Sequence, residues 1–168
     1  EETEWERREH AAVLWQALRQ IGVNLLHLPF RFELSHRLHE ERRHGYLSVN
    51  DINKLTNTIW EDYFADTVRG SDQYVWAAKL HFYLPREPHY DWQYTAGYLI
   101  AAVLRRRLLA DGCTACGGSF GDFLSDCATI DCDELIRRHL GADPASDAFW
   151  TDAATEALNV MRDADRHI

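Results

Sequence analysis

Five ring side chains with polar atoms, His81, Tyr83, His89, Tyr90 and Tyr94, fall within one short stretch, LHFYLPREPHYDWQYTAGYL. Pro85 and Pro88 break the chain there and a long apolar helical pattern follows, so the rings gather at a loop-to-helix junction. Hydrogen-bonding aromatics at that density point to a cleft that grips something polar. The plain alternative is an aromatic core with satisfied hydroxyls, since Tyr and His are often intermediate in burial. That account suits Tyr83 and Tyr98. It suits the whole set less well, because so many donors in one loop would each need a buried partner.

The other chemistry-bearing residues read more plainly. Two histidines four apart on a helix share a face and can bind one zinc. His39-Glu40-Glu41-Arg42-Arg43-His44 misses that spacing by one residue, which puts the second ring about 140° around the helix. His36 and His39 could share a face, but Arg37, Arg42 and Arg43 crowd it, so a solvated, charged helix face is expected. His10, His139 and His167 are isolated and expected at the surface. Cys113, Cys116, Cys127 and Cys132 have the pattern of a zinc site of moderate specificity. A helix over 120–125 would separate the two pairs by about 10 Å. Thiolates on one zinc all lie about 2.3 Å from it. Free thiols in neighbouring loops are therefore expected, with a small zinc-stabilised binding domain as the minor reading.

Helical periodicity dominates and no strand pattern stands out. Residues 4–27 read as a helix with Trp5, Ala12, Trp15, Leu18 and Val23 near one face. Pro29 interrupts it, and a second helix carries Phe30, Phe32 and Leu34 to His44, with Gly45 as C-cap. Ser48 with Asp51 opens a third helix, whose buried stripe is Ile52, Leu55, Ile59 and Tyr63. A short helix near 74–80, the proline loop and a long helix over 91–110, stopped by Asp111-Gly112, follow. A short helix over 120–125 comes next. Asp131 or Asp133 caps a helix ending before Gly141. The last helix opens at Pro144, runs to about Arg166, and carries Trp150, Ala153, Ala157, Leu158 and Met161 along one side. The expected fold is all-α, a single domain of roughly seven helices over residues 1–168.

The chain has 168 residues, 46% of them hydrophobic, and six tryptophans, enough for a real core. Its net charge of −9 argues against nucleic acid as a partner, because phosphates call for clustered Lys and Arg. No apolar run approaches the roughly 20 residues that span a bilayer. No signal-peptide pattern precedes the first helix, so a cytoplasmic location is expected. The chain opens at Glu1 inside a charged helical pattern, which reads as a fragment of a longer polypeptide. In that case helices that packed on the missing part would show Trp or Leu to solvent, or bury them in a homodimer.

His81-Phe-Tyr83, Pro88-His-Tyr90 and Asp91-Trp-Gln-Tyr94-Thr-Ala-Gly97 together resemble the C-terminal part of the oligoendopeptidase F-like zinc metallopeptidases, relatives of thimet oligopeptidase. Leu26-His-Leu-Pro29-Phe-Arg31-Phe-Glu33, the run from Glu40 to Ser48, and Asp133-Glu-Leu135, Gly141-Ala-Asp143 and Phe149-Trp150 resemble further segments of that family in the same order. The resemblance covers roughly residues 25–165. Each motif is weak, and their collinear order is fairly specific.

The resemblance implies the helical, C-terminal part of a zincin-like enzyme that hydrolyses short peptides. Zinc is expected in the full-length enzyme, where it polarises the scissile carbonyl and acidifies a water while a glutamate acts as base. The family's His-Glu-x-x-His and later Glu lie upstream and are absent from this sequence. This chain is therefore expected to hold no catalytic zinc, to be inactive alone, and to need an N-terminal catalytic part as partner. Carried over by position, His81 would hold the substrate backbone, Tyr94 would donate to the oxyanion, and Tyr90, with Tyr83, would bind the peptide. Two features depart from the family: His89 stands where an aromatic is usual, and residues 112–119 form a Cys- and Gly-rich loop. The alternative reading is a non-catalytic helical module that binds a peptide or protein on the same scaffold.

Overall fold

The structure, a computed structural model, describes residues 3–84, 86–110 and 119–165. The expected Asp111-Gly112 helix stop, Cys113, Cys116, Arg166 and His167 lie outside the described residues, as do Pro85 and the Met161 side chain. Among the described residues the fold is all-α with no strand, and its eight α segments make seven helices because the first two run into one another without a break. The helical segments are α1 (Glu4–Gly22), α2 (Leu28–His44), α3 (Val49–Phe64), α4 (Val75–Ala78), α5 (Trp92–Ala110), α6 (Ser119–Asp126), α7 (Cys132–Leu135) and α8 (Asp147–Asp165). No helix is long and apolar enough to cross a membrane.

Two compact units can be described, each by itself. One is Arg19–Thr95; the other joins Glu1–Leu18 to Ala96–Ile168.

In the Arg19–Thr95 unit, α2 packs on α3 around Phe30, Leu34, Ile59, Phe64 and Val75, with Leu38, Leu55, Trp60, Tyr63, Trp76 and Phe82 against them. Phe30 is fully buried, with edge-on rings at 5.3 Å (Trp60) and 5.8 Å (Phe64). The start of α3 is the expected capping box. Ser48 Oγ accepts from the Asp51 N–H at 3.2 Å, and Asp51 Oδ2 accepts from the Ser48 N–H at 3.0 Å. The Ser48 hydroxyl also donates to Asp51 Oδ2 at 2.6 Å, and this bond, with that from the Ser48 N–H, holds the Asp51 carboxyl below its ordinary range.

Pro29 does not interrupt the first helix as expected. A π turn, Val23–His27, carries α1 directly into α2, and Pro29 sits in the first positions of α2. In a π turn the N–H of residue i+5 bonds the carbonyl of residue i, as the Leu28 N–H does to Val23. The next bond in that pattern would run from residue 29 to Asn24, but proline has no N–H. The Thr95 hydroxyl of α5 supplies the missing donor, bonding the Asn24 carbonyl at 2.7 Å.

In the other unit, the buried apolar side chains are Leu99, Ile100 and Val103 of α5, Phe123 of α6, Leu135, Ile136 and Leu140, and Phe149, Ala153 and Ala157 of α8. Asp131, not Asp133, caps α7, accepting from the Glu134 N–H at 2.8 Å. A π turn, Ile136–Leu140, extends α7 to Gly141, whose φ of 55° is the left-handed stop that glycine adopts without strain. The last helix begins at Asp147 rather than Pro144, and Leu158 is exposed. On the face of α1 that carries Trp5 and Trp15 the large side chains are open to solvent: Trp5 is 66% and Trp15 62% exposed. His139, expected as an isolated surface residue, is held at 2.8 Å by Asp126 and packs edge-on against Phe123.

Candidate functional site

Three of the expected site residues come together. The 3-10 turn Leu80–Tyr83 presents His81, and the start of α5 with the residues just before it presents Tyr90 and Tyr94. The His81 ring stacks on Tyr90 at 5.4 Å and meets Tyr94 edge-on at 6.0 Å, and the two tyrosine rings lie 5.6 Å apart. Tyr94 is 44% exposed, so its ring remains open to a ligand. A hydrogen bond with Tyr90 pushes the Tyr94 phenol above its ordinary value and keeps it protonated.

Behind this wall lies a buried pair that the sequence reading did not assign. Arg31 of α2 and Asp91 are both buried, with Arg31 Nη2 2.8 Å from Asp91 Oδ1. Neither Asp91 Oδ1 nor Arg31 Nε has a partner in hydrogen-bond geometry. Burial pushes the Asp91 carboxyl up, against the opposing pull of the Arg31 guanidinium. The same guanidinium nitrogen meets His81 Nδ1 at 2.5 Å. A guanidinium only donates, so Nδ1 is the acceptor and the His81 proton sits on Nε2. His81 Nδ1 is 4.0 Å from Asp91 Oδ1, too far for a hydrogen bond. The arrangement therefore sets the His81 imidazole and the Tyr94 phenol side by side, with an ion pair behind them that orients the imidazole. One signal for Arg31 was present in the sequence: with Leu28 and Ser35 it falls on the spacing of a buried helix stripe, where arginine is rare unless paired.

Tyr83 does not join the wall. It is 55% exposed, so neither the core account nor the shared cluster describes it, and it lines a separate cavity with Phe82 and Trp76. Burial pushes up the Tyr98 phenol, in keeping with the core account. His36 and His39, expected on a solvated face, are exposed but form a group with His89, at 5.6 Å and 5.0 Å between ring centroids. His89 has a φ of 61°, and its Nδ1 is buried without a partner.

Among the described residues no group of three or more His, Cys, Asp or Glu is arranged to hold a metal ion. Cys127 and Cys132 are free and exposed. Burial and the neighbouring carboxylates of Asp133 and Asp131 raise the Cys132 thiol above its ordinary range.

No protein-family model, no curated protein and no solved structure matches the chain.

Proposed function

We propose that this chain is the C-terminal, substrate-binding part of a zinc metalloendopeptidase of the oligoendopeptidase F-like kind, and that His81, Tyr90 and Tyr94 bind the backbone of a short peptide. The observation that carries this reading is the convergence of those three rings, partly open to solvent, in front of the buried Arg31–Asp91 pair. A peptide carbonyl accepts from neutral donors without the desolvation penalty that a charged donor would bring. Donors fixed before the substrate arrives stabilise charge that develops on the carbonyl oxygen, and removing one oxyanion donor typically lowers turnover about 10²–10³-fold. In this reading Tyr94 donates to that oxygen, His81 Nε2–H holds a neighbouring backbone carbonyl, and Tyr90 orients the Tyr94 phenol. The zinc ligands and the general-base glutamate would belong to sequence outside this chain, which is then the partner needed for activity. Exposed Trp5 and Trp15 offer that partner, or a second copy, an apolar surface.

Two measurements test the reading. The gene upstream of Glu1 is expected to encode a helix bearing His-Glu-x-x-His, and in that full-length enzyme Tyr94→Phe is expected to lower kcat about 10²–10³-fold with little change in folding. The isolated chain, incubated with a quenched-fluorescence peptide library, is expected to cut nothing. Cleavage by the chain alone that a chelator abolishes would overturn this division of labour.

A further inference from the structure

On the other side of the turn that carries His81 lies a cavity of about 190 Å³, and its chemistry is that of an apolar slot with a cationic edge. Its walls are Leu38, Ile52, Trp76 and Phe82, and its polar lining includes Arg42 and His39. An apolar cavity of about 150 Å³ is enough to hold a benzene ring. Trp76 already satisfies its indole N–H on Asn53 Oδ1 at 3.0 Å, so it offers the cavity a ring face rather than a donor. His39 Nδ1 bonds the Ser35 carbonyl at 2.7 Å, which leaves Nε2 for a ligand. Arg42, exposed in the last turn of α2, makes no ion pair or hydrogen bond among the described residues, whereas Arg37 on the same helix is paired with Glu33. An unpaired guanidinium at the edge of an apolar slot matches a carboxylate joined to a ring-sized apolar group.

We propose that this cavity is a subsite for the C-terminal residue of a short peptide, which places an apolar side chain between Leu38, Ile52, Trp76 and Phe82 and its α-carboxylate on Arg42. The edge also selects against a free amino acid, because an α-ammonium would face Arg42 at close range. Phe82 and Tyr83, which line the cavity, follow His81 on one 3-10 turn. The slot is argued from its own lining. That its occupant is a peptide rests on the function proposed above.

The test is a titration of the ¹⁵N-labelled chain followed by NMR, with the Trp76 indole signal as reporter. The probes are N-acetyl-phenylalanine, its amide, free phenylalanine and a hexapeptide ending in phenylalanine. N-acetyl-phenylalanine and the hexapeptide are expected to shift the Trp76 signal, and the amide and free phenylalanine to bind about ten- to a hundredfold more weakly. Arg42→Gln, a change at an exposed position, is expected to weaken the acid to the level of the amide while the melting temperature holds. Equal binding of acid and amide, or no effect of Arg42→Gln, overturns the subsite. Binding of the hexapeptide that leaves Trp76 unmoved overturns the subsite and leaves the peptide-binding wall standing. A response to N-acetyl-phenylalanine with none to the hexapeptide makes the occupant a small acid and overturns the peptide assignment.

Discussion

Arg31 in the Arg19–Thr95 unit and Arg106 and Arg107 in the other unit put the same side chain to opposite uses. Arg31 is buried with Asp91, incompletely hydrogen-bonded, and faces polar rings that are open to solvent. Arg106 grips Asp152 through two bonds, at 3.0 and 2.6 Å, and joins α5 to α8 at the surface. Arg107 donates to the carbonyls of His139 (2.8 Å) and Leu140, closing the end of a helix. Taking two charges out of water costs more than a surface pair ever returns, so the buried pair is a poor device for stability. A buried pair that leaves polar atoms unmet and sets the tautomer of a neighbouring histidine has the character of a functional site. The complete, exposed clamps of the other unit have the character of scaffolding.

Substitutions that break the contrast should separate by size. Arg31→Met leaves Asp91 buried and unpaired and is expected to cost about 3–5 kcal/mol at neutral pH. The loss should shrink in acid, because protonation relieves a carboxyl that burial already pushes up. Urea unfolding at both pH values reads this, and an equal loss at both would count against the account. Arg107→Gln is expected to cost about 1.5–3 kcal/mol, the range for hydrogen bonds that involve a charged group. Hydrogen exchange should localise that loss to residues 136–141. Arg106→Gln is expected to cost about 0.2–1 kcal/mol, as exposed pairs do, and the cost should fade in high salt.

Acid titration sharpens the comparison without a large effect. Burial, then His39 and His36, lower the His89 pKa below 6.5. The unfolded chain therefore binds a proton that the folded chain resists. The stabilising contribution is whole above pH 6.5 and is lost as pH falls through the folded value. In the other unit, hydrogen bonds from His139 and Arg138 lower the Asp126 carboxyl below 3.8. Its contribution is whole above that value and disappears only in stronger acid. A melting curve against pH should show two separate declines. His89→Asn, which tolerates a left-handed backbone, should flatten the first and spare the second.

Local signals in the sequence were legible wherever a few neighbouring residues decide the structure. Ser48 with Asp51, Asp131, Gly141 and the long apolar run of α5 each announce their element within a turn or two. The clustering of His81, Tyr90 and Tyr94 was legible for the same reason, since a short loop holds them. Arg31 with Asp91 was not, because the partners lie far apart in the chain and only the packing of α2 beside the loop joins them. Tyr83 went astray because consecutive residues of a 3-10 turn point in different directions, and it faces the cavity rather than His81. The exposed face of α1 shows the limit of periodicity: it finds an apolar stripe and says nothing of what covers it.

The hydroxyl of Thr95 on the Asn24 carbonyl ties Pro29 and Thr95 together through one shared acceptor. Each residue is acceptable because of the other: the proline removes a donor and the threonine restores one. A lineage that loses the threonine first is left with an orphaned carbonyl, whereas one that loses the proline first can then lose the threonine freely. The two positions are therefore coupled although sequence distance alone would treat them as independent. The residue next to Thr95 is Tyr94, so a change at this helix junction reaches the ring that stands beside His81.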